Sequence, residues 1–143
     1  VAGRGDSRLK LLAVTVMTNL TADDLVEQGS TSTPADLVLR RAELAYKAGC
    51  DGVIASGQEA AGIRAATGPE FLIVTPGIRL QGSTTDDQER VMTPDHAIWS
   101  GANHVVVGRP ITQADDPKAA ALTFVHHIRE ALAKRGAGGT RPH

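Results

Sequence analysis

The sequence predicts an α/β fold with a parallel sheet and four βα units. Short aliphatic runs alternate with amphipathic or alanine-rich segments, and the runs lie at residues 11–16, 52–56, 71–75 and 104–108. Continuous aliphatic runs are typical of parallel strands that helices cover on both faces. Four βα units are half of a (β/α)8 barrel, which needs roughly 200 residues or more, whereas this chain has 143. We therefore expect a single partial domain, a half-barrel, over residues 1–143.

Composition narrows the classes of function. The formal net charge is −1, from 15 basic and 16 acidic residues, and aromatic residues make up only 3%. These values predict no nucleic-acid partner, because neither a basic surface nor base-stacking side chains are indicated. The single cysteine, Cys50, fits a reducing compartment. No apolar run approaches the roughly 20 residues of a membrane span, so the expected location is cytoplasmic, without a membrane partner.

Two helices are predicted between the first and second strands, and one after the second strand. Thr21 is a plausible cap for a short helix that Gly29 ends, and Thr33 followed by Pro34 opens a stronger helix. Leucine, valine and alanine residues then recur on one helical face, with Leu44 among them. After the second strand, residues 57–67 are alanine-rich and predict a helix of about three turns.

The remainder of the chain has one unusual connection. Residues 76–90 are too long and polar for an ordinary βα loop, and they predict a functional lid. Helices are expected after Thr93 and after Asp116. The last helix carries an apolar stripe that includes Leu122, Val125 and Leu132, and residues 136–143 are expected to be a disordered tail.

Two strands end in a glycine that an arginine follows closely. Gly77 precedes Arg79 after the third strand, and Gly108 precedes Arg109 after the fourth. Glycine lets backbone N–H groups approach a ligand, and arginine offers a planar fork of donors to phosphate. Because active sites of (β/α) barrels lie at the carboxyl ends of the strands, this pattern predicts a phosphate site.

Other interpretations of single residues stay open at this point. Arg109 alone would fit a structural ion pair, and Arg79 would fit a solvated loop arginine. Glu59 is expected in the first turn of a helix, where its charge favours the helix dipole. By themselves, Gln88 would be an exposed loop residue and Thr18 an ordinary strand end.

Several catalytic motifs are absent from the sequence. It has no H-E-x-x-H or Cys/His spacing, so no metal site is predicted. It has no G-x-G-x-x-G, P-loop or G-x-S-x-G pattern, which argues against dinucleotide, nucleoside triphosphate and serine hydrolase chemistry. No cofactor is expected.

The strand ends and the lid, taken together and in order, resemble orotidine 5′-phosphate decarboxylase, in its bacterial branch. The similarity covers about residues 9–132, and the combination of segments is far more selective than any one of them. The segments are LLAVTVMTN, DGVIASGQEA, FLIVTPGIR, GSTTDDQERVMTP and VVVGRPIT. The family is a (β/α)8 barrel, and the four strands here resemble its fifth to eighth.

The resemblance implies substrate-binding roles for five positions. Thr18 matches a hydroxyl residue that contacts the pyrimidine, and Gln88 matches the lid glutamine that contacts both base and phosphate. Gly108 and Arg109 match the phosphate-binding end of the last strand. Arg79 matches a ligand-contacting arginine. The implied partner is a pyrimidine nucleotide monophosphate, and the family implies a homodimer.

The resemblance also shows a departure. The family uses a D-x-K-x-x-D array and further Lys and Asp residues from its first strands, and the array is absent here. By resemblance, the reaction is cofactor-independent decarboxylation of orotidine 5′-phosphate to uridine 5′-phosphate. We therefore expect no catalytic residue in this chain, which alone should be inactive. The alternatives are a non-catalytic nucleotide-binding half-barrel that self-associates, or a sister phosphosugar lyase.

Overall fold

The protein is described here by a computed structural model that covers residues 8–16, 23, 27, 29, 32–80 and 92–136. Within these ranges the strands are β1 Leu12–Val14, β2 Gly52–Ile54, β3 Leu72–Thr75 and β4 His104–Val105. The helices are α1 Pro34–Lys47, α2 Ala60–Thr67, α3 Pro94–Trp99, α4 Arg109–Thr112 and α5 Pro117–Gly136.

The four strands form one parallel sheet in the order β1-β2-β3-β4. Its register aligns Val14 with Ile54, Ile54 with Val74, and Val74 with His104. Each strand lies beside the next one along the chain, with a helical connection between them, as right-handed βα units do. The predicted α/β half-barrel is confirmed.

The two faces of the sheet differ in burial. On one face, Val53 and Ile73 are fully buried under α1 and α2. On the other face, Val14 is 60% exposed, and its partners Ile54 and Val74 are only half-buried. Among the described residues, helices cover only the first face, as expected for the outer face of a (β/α) barrel.

Local signals placed three helix starts correctly. Thr33 Oγ1 accepts a hydrogen bond from Asp36 N at 3.1 Å, and Pro34 follows it as the first residue of α1. Thr93 caps α3 through His96 N at 3.4 Å. Asp116 Oδ1 accepts from Ala119 N at 3.0 Å in the first turn of α5. These side chains satisfy amide donors that have no partner within the helix itself.

Helix faces were predicted less well than helix starts. Leu44, Leu122 and Leu132 belong to the predicted apolar helix faces, but they are 58%, 59% and 44% exposed. The 20-residue helix α5 buries only Phe124 and Ala131, because the helix beside it, α3, is just six residues long. Because α5 is longer than α3, α3 covers only part of the apolar stripe of α5.

Two helices also differ from expectation. The short helix α4, which begins at Arg109, was not predicted. Helix α5 extends to Gly136, which was assigned to the tail, while residues 137–143 lie outside the described residues. Most of the helix expected after Thr21 also lies outside them.

Two clusters of buried side chains hold the layers together. The first joins β2 and β3 to α1 and α2, with Val53, Ile63 and Ile73 at its centre. The second joins Ile78 to Ala97 and Phe124, and so packs α3 and α5 beside the carboxyl end of β3. In the part of the chain that the structure describes, no helix has the length and hydropathy needed to cross a bilayer.

Candidate functional site

The carboxyl ends of all four strands lie at one edge of the sheet. Backbone hydrogen bonds continue past the strands, from Ala55 N to Val74 O at 3.1 Å and from Val106 N to Thr75 O at 2.8 Å. They fix Ala55, which follows β2, and Val106, which follows β4, against the last two residues of β3. Residues that follow these strands, including both predicted arginines, therefore emerge at the same edge, as the sequence predicted.

Gly108 and Arg109 lie where the chain turns from β4 into α4. Gly108 is the N-cap of that helix, and its carbonyl oxygen accepts from Ile111 N at 2.9 Å and Thr112 N at 3.1 Å. Both Gly108 and Arg109 are exposed. Apart from the two adjacent residues, no described heavy atom would lie within 4 Å of a Cβ at position 108. The backbone there is therefore open to an approaching group.

Arg79 has a different environment from the solvated loop arginine that remained possible from the sequence. It is only 4% exposed. Its Nη1 donates to Ile78 O at 2.9 Å, and its buried Nε has no hydrogen-bond partner among the described residues. A buried guanidinium is costly unless an acceptor or an anion compensates it, so its remaining donors favour anion binding.

The long connection after β3 is closed at its base. Ile78 forms a parallel bridge with Met92, and Arg79 N donates to Met92 O at 3.0 Å. Gly77 has a φ of 76°, a left-handed conformation that glycine adopts without strain. Met92 also packs against Gly57, where an added Cβ would lie 2.8 Å from Met92 Cγ. Residues 80 and 92 are therefore held at the carboxyl edge of the sheet.

The structure describes three of the five predicted binding residues. Thr18 and Gln88 lie outside the described residues. The nearest described parts of the chain are well anchored, since Arg41 Nη1 donates to Thr15 O at 2.6 Å just before Thr18. The structure thus places Arg79, Gly108 and Arg109 at one edge of the sheet, and the binding roles of all five residues remain predictions.

Glu59 occupies the helix end that was predicted for it. It is the N-cap of α2, only 8% exposed, but its side chain makes no capping hydrogen bond. Within residues 8–16, 32–80 and 92–136 and the three isolated positions, no group of three or more His, Cys, Asp or Glu side chains could hold a metal ion.

Sequence reasoning missed two residues at this edge. Thr75, the last residue of β3, is fully buried, and its Oγ1 has no hydrogen-bond partner among the described residues. Its place directly before Pro76-Gly77 was the available signal. Met92 supplies the backbone carbonyl and the side chain that close the lid base, and no sequence signal distinguished it from an ordinary residue before a helix cap.

The sequence profile of the "Orotidine 5'-phosphate decarboxylase / HUMPS family" matches residues 2–124. The chain belongs to this family. The match includes all four strands, α1 to α4 and all five predicted binding positions.

Curated relatives in the family are about half identical to this chain. The orotidine 5'-phosphate decarboxylase of Caulobacter sp. (strain K31) is 53% identical over 125 residues, which are 87% of this chain and 55% of that protein. The one of Xanthomonas euvesicatoria pv. vesicatoria (strain 85-10) is 53% identical over 135 residues, 94% of this chain and 55% of that protein. The chain spans about half the length of the curated relatives it matches, and the match is to their carboxyl-terminal part.

The solved structures that this chain resembles are also matched over about half of their length. The orotidine 5'-phosphate decarboxylase from Lactobacillus acidophilus superposes with a TM-score of 0.72 at 41% identity, over 87% of this chain and 51% of that one. The enzyme from Pyrococcus horikoshii OT3 gives 0.61 at 27% identity, over 84% and 51%. The four-stranded sheet is therefore half of the family's (β/α) barrel.

Proposed function

We propose that this chain supplies the phosphate- and pyrimidine-binding half of an orotidine 5′-phosphate decarboxylase. The observation that carries the proposal is the pair of strand ends that places Arg79 and Gly108-Arg109 at one sheet edge. The reaction of the whole enzyme breaks the bond between the pyrimidine ring and its carboxylate, releases CO2, and protonates the ring carbon to give uridine 5′-phosphate. It uses no metal or organic cofactor.

The binding groups have separate tasks in this proposal. Gly108 and Arg109 take the phosphate: the exposed glycine admits the phosphate to the backbone, and the guanidinium donates charge-assisted hydrogen bonds. Arg79 directs its spare donors to the same ligand from a buried position. Thr18 would contact the pyrimidine, and Gln88 would join base and phosphate from the lid. Phosphate binding holds the nucleotide in place for groups that this chain does not contain.

The absence of D-x-K-x-x-D limits the proposal to binding. In the family, alternating Lys and Asp residues stabilise the developing carbanion electrostatically, and a lysine donates the proton. No such array occurs in this sequence, so the whole reaction requires groups from elsewhere. For the complete enzyme we propose a cytoplasmic location and a homodimeric assembly, as the resemblance implies.

Titration with uridine 5′-phosphate tests the binding role of Arg109. Replacing Arg109 by Ala should weaken binding by about 1–3 kcal/mol, because charged hydrogen bonds to the phosphate are lost. Isothermal titration calorimetry of the 143-residue chain measures the difference. Arg129→Ala is the matched control, since Arg129 is an exposed arginine of α5. Equal affinities for Arg109→Ala and the parent chain would remove Arg109 from the site.

The same titration separates the sister phosphosugar lyase from the decarboxylase half. Ribose 5-phosphate carries the phosphate and sugar without the pyrimidine. The decarboxylase half should bind uridine 5′-phosphate more tightly, because Thr18 and Gln88 would contact the base. A phosphosugar lyase would bind both ligands equally well or favour ribose 5-phosphate.

A second candidate function is that of a nucleotide-binding half-barrel which pairs with a second copy of itself. The specific observation is the uncovered sheet face, where Val14 is 60% exposed and Ile54 and Val74 are half-buried. In the described sheet β1 and β4 each have one neighbour, so each offers an unpaired edge. Two copies related by a twofold axis could join β4 of one to β1 of the other and close eight parallel strands.

Self-association predicts a dimer that a charge on the open face disrupts. Val14→Lys should raise the dimer dissociation constant tenfold or more, because lysine would be buried without a partner. Sedimentation velocity over a range of concentrations measures the constant. Leu122→Lys, with a similar initial exposure of 59% on α5, is the control and should leave it unchanged. A parent chain that remains monomeric at high concentration would eliminate this candidate.

A further inference from the structure

A cavity of about 360 Å³ lies at the end of the sheet opposite the candidate functional site. Its floor is the segment that leads into β4, and its walls come from α2, α3 and α5. It exists because α3 ends at Trp99, whereas α5 continues to Gly136 and leaves a space between its last turns and α2. The lining residues are Arg64, Pro69, Ile98, Gly101, Ala102, Asn103, Ile128, Leu132 and Arg135.

Arg64 is one of two cations in this cavity. Its guanidinium is anchored by the chain segments that precede β3 and β4. It donates to the carbonyl oxygens of Gly68, Pro69, Phe71 and Gly101 and to Asn103 Oδ1, at distances from 2.6 to 3.0 Å. Asn103 Oδ1 also accepts from Ile73 N at 2.9 Å, which fixes this end of the cavity to the sheet. Arg64 is therefore held rigidly in position.

Arg135 is the second cation. Its Nη1 donates to Ile98 O at 2.7 Å, in the last turn of α3. Among the described residues, neither Arg64 nor Arg135 has a carboxylate within 4.0 Å. Burial lowers the pKa of Arg64, the Arg135 cation lowers it further, and only Glu70 acts in the opposite direction. The cavity thus holds an excess of positive charge that an anion would reduce.

Three aliphatic side chains supply apolar surface to the cavity. Ile98 is buried, Ile128 is half-buried and Leu132 is 44% exposed, so hydrocarbon surface faces the space between the two arginines. An inorganic anion would neutralise the positive charge but leave this apolar surface exposed to water. An anion with an apolar body would satisfy the charge and also bury the surface, and the volume falls within the range of small-molecule sites.

We propose that this cavity is a second binding site, which takes a small organic carboxylate with an apolar ring or chain. The carboxylate accepts hydrogen bonds from Arg135 and is attracted by the charge of Arg64, and the apolar part lies against Ile98, Ile128 and Leu132. The site is independent of the proposed nucleotide function, since it occupies the amino end of the sheet and shares no residue with the strand-end arginines.

Benzoate and benzamide test the proposal, because they have the same shape and differ in charge. Benzoate added to the 143-residue chain should shift the backbone amide signals of Gly101, Asn103 and Ile128 in ¹H–¹⁵N spectra, with benzamide binding at least tenfold more weakly. Equal binding of the two compounds, or shifts confined to other residues, would overturn the proposal. Inorganic phosphate that bound as tightly as benzoate would overturn the apolar part of it.

A substitution on α5 provides the second test. Arg135→Gln should weaken benzoate binding about tenfold, since glutamine can keep a hydrogen bond to Ile98 O but has no charge. Arg129→Gln removes the same charge from an exposed position of the same helix and should leave binding unchanged. Unaltered affinity in Arg135→Gln, with the spectrum of a folded chain, would contradict the assigned site.

Discussion

The purified 143-residue chain is expected to release no CO2 from orotidine 5′-phosphate above the uncatalysed rate. In the proposed function, the groups at the ends of β3 and β4 would bind the phosphoribosyl part of the nucleotide, whereas the carbanion forms on the pyrimidine ring. The Lys/Asp array that would stabilise and protonate this carbanion is absent from the sequence. Enzymes usually lower such barriers by about 8–23 kcal/mol, mostly through preorganised charges. A chain without those charges should not reproduce the effect.

Activity should appear when the missing half is added in trans. The amino-terminal part of the Caulobacter sp. (strain K31) relative, which this chain does not match, would supply the array and the strands that pair with β1 and β4. Release of ¹⁴CO2 from carboxyl-labelled substrate should rise when the two polypeptides are mixed, and Arg109→Ala should reduce it. The amino-terminal part alone is the control. Turnover by the 143-residue chain on its own would contradict the assignment of chemistry to the other half.

Gly52→Ala is expected to cause a large loss of stability. Gly52 is a buried residue of β2, paired in register with Leu72 of β3. An added Cβ would lie 2.6 Å from Leu72 Cβ and 2.8 Å from the Leu72 carbonyl carbon, and closer still to the carbonyl oxygen. Backbone atoms in the middle of a sheet cannot move aside cheaply, so the free energy of unfolding should fall by about 3 kcal/mol.

Urea denaturation followed by circular dichroism measures this change. Gly136→Ala is the control, because a Cβ there has no neighbour within 4 Å and alanine suits a helix end. The control should stay within about 0.5 kcal/mol of the parent chain. A similarly small change in Gly52→Ala would show that β2 and β3 are not packed in the register described above.

The sequence was sufficient to predict the strand order and most helix starts, because these depend on local patterns. Thr33 and Thr93 cap helices where their spacing to proline indicated. Helix faces depend on neighbours that local pattern does not specify. Leu44 and Leu132 have the right periodicity for burial, yet both are exposed, since burial also requires a layer that covers them.

The same distinction between local sequence pattern and tertiary packing applies to the candidate site. The glycine–arginine ends of two neighbouring strands predicted that Arg79 and Arg109 would share one edge of the sheet, because parallel strands end together. The burial of Arg79 could not be predicted, since it follows from the bridge between Ile78 and Met92 across residues 79–91. Contacts that close a long connection depend on tertiary packing, and the sequence carries no periodic signal for them.

The bridge between Ile78 and Met92 affects how readily the connection between them can change in length. Because Ile78 and Met92 are joined, the two ends of the connection between them are held together at the sheet edge. Doubling the length of a connection whose ends are held together costs only about 0.6 kcal/mol in chain entropy. Insertions and deletions between Ile78 and Met92 should therefore cost little stability, while the strand ends that carry Gly108 and Arg109 should keep their geometry. The bridge separates a part of the protein that can vary from a part that must remain constant.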